Sequence, residues 1–297
     1  MSDYSDTTVN ATWAAFAQLM SSFPDLMDQG ITGSGAAFTG IAARSILGLP
    51  EPIPGVLASF TFRALNMTTE KMSDLLRPLQ NNILSSLSDA SVTSFKISDP
   101  STNTNYTDFF LALNASPSAA GRAGLVTSRL LGRAQVSDLA VDELASYLQR
   151  TMASRIETDG TTLSIALQGG PGLRNIPRER RGAVNPVWRD TYLHIIERTN
   201  IDTATNTPGV ALREAGEWFE ANKETIFREW APDTGAYMNE ANPFNSEWKH
   251  DFYGTTYERL VRIKRQFDPT YTLSVSAGVD SDFWEYNMDS GKLCQTS

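Results

Sequence analysis

VWRDTYLHIIE, residues 187–197, alternates more cleanly than any other stretch of this chain. Val187, Thr191, Leu193 and Ile195 fall on one face of an extended backbone, and Trp188, Asp190, Tyr192 and His194 fall on the other. A period of two marks a strand whose faces meet different surroundings, so the pattern predicts a strand over 187–197. Further strands are predicted upstream, over 56–65, 92–97 and 161–168. Between them the period changes. Trp13, Phe16, Met20, Phe23 and Met27 recur at helical spacing over 12–28, with Gly30 as the stop. A second helix is predicted over 69–87, kinked at Pro78, with shorter helices over 106–113 and 139–153. The Gly-, Ala- and Pro-rich stretch 30–55 has weak periodicity and reads as loop with one short strand. Downstream, Thr207-Pro208 opens a long helix with Trp218, Phe219, Ile226 and Trp230 as its buried stripe, and a last helix over 251–267 ends at Asp268-Pro269. Interleaved helices and short strands predict an α+β fold, one antiparallel sheet covered by helices on one side.

Composition narrows the function. A net charge of -9 argues against a nucleic-acid partner, because binding phosphates needs a concentrated basic surface; the one dense basic run, Arg178 to Arg181, reads as a solvated turn. Cys294 is the single cysteine, so no intramolecular disulfide or cysteine-based metal site forms. His194 and His250 lack the spacing of a helical metal pair, and no metal is expected. No apolar run reaches the length of a membrane span. The polar opening MSDYSDTTVN is unlike a signal peptide, which leaves the cytoplasm as the default compartment.

From Tyr237 the chain reads YMNEANPFNSEWKHDFYGTTYERLVRIKRQFDP. The order and spacing of Tyr237, Asn239, Glu240, Trp248, Phe252, Gly254, Tyr257, Arg259, Leu260, Ile263, Lys264, Asp268 and Pro269 resemble the C-terminal signature of fungal berberine-bridge-like, FAD-linked oxidoreductases of the vanillyl-alcohol oxidase superfamily. The tail Gly278, Asp280, Trp284, Asp289, Gly291, Leu293 and Cys294 is similar to that family's ending. Ser128-Arg129-Leu130 and Asn185-Pro186-Val187-Trp188-Arg189 resemble two weaker markers of its substrate domain. One departure is Thr270-Tyr271-Thr272-Leu273-Ser274, where the family carries an apolar-aromatic pair.

The resemblance implies that residues 1–236 are a substrate-binding α+β domain whose sheet roofs a flavin, with 237–297 packing on the same domain. It implies FAD as cofactor. Intact members begin with a domain whose glycine-rich backbone binds the FAD pyrophosphate, and they are often secreted. No such region precedes residue 12, so the chain is expected to lack the FAD-binding domain, and Gly169-Gly170-Pro171-Gly172 reads as a turn.

Several residues carry candidate chemistry. By the resemblance, Tyr237 and Asn239 approach the flavin ring, where a phenol and an amide can hydrogen-bond it; the alternative is that they satisfy backbone groups at a strand end. Tyr192 and His194, on one strand face, can take a proton as hydride leaves, with Glu240 and Asp190 as alternative bases; the competing reading makes His194 structural. Three functions follow. The first is the substrate-binding half of an FAD-linked oxidase of secondary metabolism, unable to oxidise a small-molecule substrate without a separate flavin-binding chain. The second is a flavin-independent cyclase or isomerase that kept the pocket. The third is a non-catalytic or degenerate remnant.

Overall fold

The computed structural model describes residues 6–48, 51–86, 95–113, 124–155, 160–201, 206–288 and 290–296. Five strands make one antiparallel sheet: β1 Ile31–Thr39, β2 Ile53–Ala64, β3 Gly124–Gly132, β4 Thr162–Leu167 and β5 Thr191–Asn200, in the spatial order β2-β1-β4-β5-β3. The helices in chain order are α1 Asp6–Asp28, α2 Gly40–Leu47, α3 Thr69–Ser86, α4 Tyr106–Leu113, the one-turn α5 Arg133–Val136, α6 Val141–Thr151, the one-turn α7 Pro171–Arg174, α8 Pro208–Phe219, α9 Thr225–Trp230 and α10 Tyr257–Phe267. A small hairpin, β6 Trp284–Asn287 with β7 Lys292–Gln295, follows.

Helix α1 shows why one face of the sheet is covered. Its stripe of Trp13, Phe16, Met20, Phe23 and Met27 is buried against Leu163, Ile165 and Leu167 of β4, Leu193 and Ile195 of β5, and the apolar faces of α3 and α6. Each Phe or Leu fully removed from water there contributes about 1.5–3 kcal/mol. The helix ends where Gly30 takes φ +89, a left-handed conformation costly for other residues.

The predicted α+β architecture is the one observed, with differences that have local causes. The stretch 30–55 holds a full strand, β1, and helix α2. Glycine and alanine weaken its strand signal because they make room. A Cβ at Gly33 would stand 2.2 Å from the Thr61 carbonyl oxygen, and one at Gly35 would meet the Phe60 ring at 2.5 Å. Phe60 thus packs over Gly35, and Phe60 and Phe62 reach Phe23 at ring separations of 4.9 and 5.8 Å.

Strand β5 begins at Thr191 and not at 187, because Asn185 accepts a hydrogen bond from the Val187 amide and Pro186 starts a 3₁₀ turn through Arg189. Val187, Trp188 and Asp190 thus lie off the strand. Of the strand expected over 92–97, residues 92–94 lie outside the described set and 95–97 are not extended into a ladder. Strand β3 escaped detection because its inward positions include Thr127 and Arg129, which break the apolar alternation. The long helix from Thr207 is interrupted by a π turn over Glu220–Glu224.

Candidate functional site

The face of the sheet turned away from α1 is built from small side chains. Directly paired residues of antiparallel strands share a face, and the register aligns Thr61, Ser34, Ala166, His194 and Leu130 in one row across all five strands. The next row runs Ser59, Ala36, Ser164, Ile196 and Ser128. On β1 and β2 this terrace is open to solvent, with Ser34, Ser59 and Thr61 exposed, whereas His194 and Ser128 at its far end are buried. A flat surface of hydroxyls and methyls suits a planar ring system laid against it.

His194 closes the terrace. Its side chain is 0% exposed, and neither ring nitrogen has a hydrogen-bond partner among the described residues. Trp188 and Tyr237 stand edge-on to the imidazole at 6.1 and 5.9 Å, and 6.1 Å from each other. Glu240 brings a carboxylate oxygen to 3.7 Å from Nδ1, beyond hydrogen-bond distance, while remaining 37% exposed. Burial pushes the imidazole pKa down to about 4, so His194 is neutral at pH 7. The pair thus has an inner, neutral member and an outer member that solvent or a ligand can touch.

The structure gathers His194, Glu240, Tyr237 and Asn239, but not Tyr192. The Tyr192 hydroxyl donates to Asp28 at 2.8 Å, and the Arg133 and Arg174 guanidinium groups flank its ring at 5.1 and 5.2 Å. That side chain is buried and its hydroxyl is held at the C-terminal end of α1, so the expected placement of the Tyr192 hydroxyl beside His194 is corrected. Asp190 is also elsewhere, largely exposed, with Arg174 at 4.0 Å. Tyr237 and Asn239 come together by a different route from strand alternation. Met238–Glu240 is a 3₁₀ turn, and the Asn239 amide donates to the Tyr237 hydroxyl at 2.7 Å, leaving the phenol proton for another acceptor.

The residues present fit the ring of a flavin and not its phosphates. The terrace offers a flat support, Tyr237 and Asn239 offer a donor and an amide at its edge, and buried Ser128 and His194 have unmet hydrogen-bonding capacity. The glycines of 169–172 do not form a phosphate cradle. The Gly169 and Gly170 amides donate to the Tyr192 and Thr191 carbonyls, and a Cβ at Gly169 would lie 1.8 Å from the Thr191 oxygen. They make the turn from β4 toward β5, as the sequence suggested.

Beneath the β3–β5 end of the sheet lies a buried set of charges that sequence reasoning missed. Arg129, 0% exposed, donates to the Thr234 hydroxyl at 3.0 Å and the Ala231 carbonyl at 2.6 Å. Its remaining guanidinium nitrogen is 2.9 Å from the Asp251 carboxylate, an ion pair whose N–H is not aimed along a hydrogen-bond line. Asn245 donates to Asp251 at 2.9 Å, and Thr127 donates to Glu224 at 2.6 Å. Burial, with Asp251 adding repulsion, outweighs the Thr127 hydrogen bond and pushes Glu224 up to about 7. Lys223 pairs with Glu197 at 3.0 Å and donates to the Thr151 and Ala153 carbonyls at the end of α6. The π turn at 220–224 is what turns both Lys223 and Glu224 inward.

Comparison with known proteins agrees with the sequence motifs. The family described as "Berberine and berberine like" matches residues 236–279. A VAO-type flavoprotein oxidase of Thermothelomyces thermophilus is 26% identical over 95% of this chain and 44% of its own length. An FAD-linked oxidoreductase of Gibberella fujikuroi is 24% identical over 98% of this chain and 47% of its own. Among solved structures, a VAO-type flavoprotein from Myceliophthora thermophila superposes with a TM-score of 0.79 at 20% identity, covering 98% of this chain and 48% of that one, a likeness of fold. The chain spans about half the length of the curated relatives it matches.

Proposed function

We propose that this chain, which corresponds to the C-terminal portion of a berberine-bridge-like, VAO-type flavoprotein, is the substrate-binding half of an FAD-linked oxidoreductase acting on a planar small molecule. The observation that carries the reading is the row of small side chains from Thr61 to Ala166 that runs open to solvent until it meets buried His194 and its partner Glu240. Tyr237 and Asn239 would hold the edge of the ring, and the FAD pyrophosphate is bound outside these residues, on a flavin-binding portion of the same or a separate polypeptide.

A bound flavin supplies the hydride acceptor. The chain supplies the proton chemistry. Glu240 is the member of the pair that a substrate reaches, so its carboxylate takes the proton released from a substrate hydroxyl or amine. Neutral His194 stands behind it, 3.7 Å away, in a setting where a second positive or negative charge would be costly. Trp188 and Tyr237 keep water from the inner imidazole.

Titrating the chain with lumiflavin, which carries the ring and no phosphate, tests the reading. Flavin emission is expected to be quenched by wild type and not by Ala166→Trp, which fills the terrace; equal response of the two, or none from wild type at millimolar lumiflavin, overturns it. A flavin-independent cyclase or isomerase is the second reading, favoured by an acid–base pair that needs no redox centre to move a proton. Turnover of a small-molecule substrate by flavin-free protein would select it.

A further inference from the structure

Asn185 sits where three stretches of the chain meet, 7% exposed, and each end of its amide serves a different one. Oδ1 accepts from the Val187 amide at 3.2 Å and so closes the turn that carries Trp188. Nδ2 donates to the Asp251 carbonyl at 3.0 Å. That same carbonyl accepts from the amide of Ala236 at 2.8 Å, and Ala236 immediately precedes Tyr237. Asp251 is itself immobilised through its side chain, held by Arg129 and Asn245 at 2.9 Å each.

Packing around this junction leaves no slack. A Cβ at Gly235 would stand 2.2 Å from the Asp251 carbonyl oxygen and 2.8 Å from Asn185 Nδ2. At Gly254, where φ is +54, a Cβ would stand 2.6 Å from Asn185 Oδ1. Two glycines therefore approach one side-chain amide from the two segments it joins.

Trp188 and Tyr237 wall the His194 ring, and Asn185 is linked to both, to Trp188 through the Val187 amide and to Tyr237 through the Asp251 carbonyl that holds Ala236. We infer that Asn185 is a positioning residue for the His194–Glu240 pair: one amide fixes Trp188 by capping its turn and fixes the Tyr237–Glu240 turn through the Asp251 carbonyl, so closure over the imidazole depends on it. The importance of that pair rests on the function proposed above; the enclosure itself does not. Neither end of the amide is replaceable by the same atom, since capping needs an acceptor and the Asp251 carbonyl needs a donor.

Two substitutions in the intact chain separate the ends. Asn185→Ser keeps an acceptor for the Val187 amide but does not reach Asp251, and Asn185→Ala loses both contacts. The readout is the His194 ring-proton titration by NMR, which a role in bulk stability alone would leave in place. In wild type the midpoint is expected near 4. In both variants it should rise by at least about one unit toward the unperturbed imidazole value of about 6.5 as water enters. Folded variants that titrate like wild type overturn the inference. Should neither variant fold, hydrogen exchange on wild type decides: the Val187 and Ala236 amides should open together, with protection within about threefold, and Ala236 exchanging about a hundredfold faster than Val187 would overturn it. A shifted His194 titration in protein that ignores lumiflavin would leave the positioning role standing and sink the oxidoreductase reading instead.

Discussion

Replacing Arg129 by Met should be among the most damaging single changes available in this chain. Arg129 and Asp251 are each 1% exposed at their side chains, with the charged atoms 2.9 Å apart. At that separation, with an effective dielectric of about 20, their attraction is about 6 kcal/mol, offset by the cost of holding both charges out of water. The substitution removes the attraction and leaves that cost standing. Asp251 would keep the Asn245 amide and the His250 Nδ1 at 3.2 Å, and the Ala231 carbonyl would keep the Thr234 hydroxyl, but none of these replaces a fully buried guanidinium. Removing one partner of a buried pair typically costs about 3–5 kcal/mol, about a fifth or more of the stability of an ordinary domain. Arg150 and Glu229 form a shorter contact at 2.5 Å, yet their side chains are 42% and 50% exposed, and Arg150→Ala should cost no more than about 1 kcal/mol. Guanidinium unfolding of both variants, with coincident tryptophan emission and circular dichroism as the check on cooperativity, measures the contrast. Adding Asp251→Asn to Arg129→Met should cost at least about 2 kcal/mol less than the sum of the singles. A loss under about 1 kcal/mol for Arg129→Met, or strict additivity in the double variant, would refute the claim that burial gives this pair its weight.

Three further outcomes are expected. The folded pKa of His194, about 4, lies below its unfolded value of about 6.5, so its contribution is complete above pH 6.5 and falls by about 3 kcal/mol as pH drops to 4. His194→Phe should flatten that limb of the stability–pH curve, and an unchanged slope would show that the imidazole is already solvated. Glu224 has the opposite sign: raised to about 7, it favours the fold below about pH 4.5 and loses that contribution as pH rises to 7, so Glu224→Gln should make stability over this window rise more steeply with pH in denaturant melts. Tyr192→Phe removes the hydrogen bond to Asp28 and should cost about 1–2 kcal/mol in the same melts while leaving the lumiflavin response at the wild-type level; a lost response would return Tyr192 to the site.

What could be read from the residues depended on whether burial and polarity agreed. Helix α1 and strand β4 were legible because their inward residues are apolar and their outward ones are not. Strand β1 was hidden by Gly33 and Gly35, which leave space to the β2 backbone and the Phe60 ring and have little strand propensity of their own. Trp188 was assigned to the right neighbour for the wrong reason, since it reaches His194 from a capped turn and not from the strand. The candidate cluster was half legible: His194, Glu240, Tyr237 and Asn239 lie together, but nothing in the spacing separates Tyr192 from His194. That depends on Asp28, 164 residues away in sequence. Lys223 was within reach, because it continues the stripe of Phe219, Phe227 and Trp230, and a charge on an apolar stripe signals a buried pair. Glu224 was not, because only the wider π turn carries it inward beside Lys223.

The Arg129–Asp251 contact also has a meaning in time. On the ribosome β3 emerges more than a hundred residues before Asp251, and until then Arg129 lacks its Asp251 countercharge. A product that stops short of Asp251 would contain every strand of the main sheet and lack the carboxylate 2.9 Å from Arg129. The segment around Asp251 thus completes the charge balance of a strand made long before it.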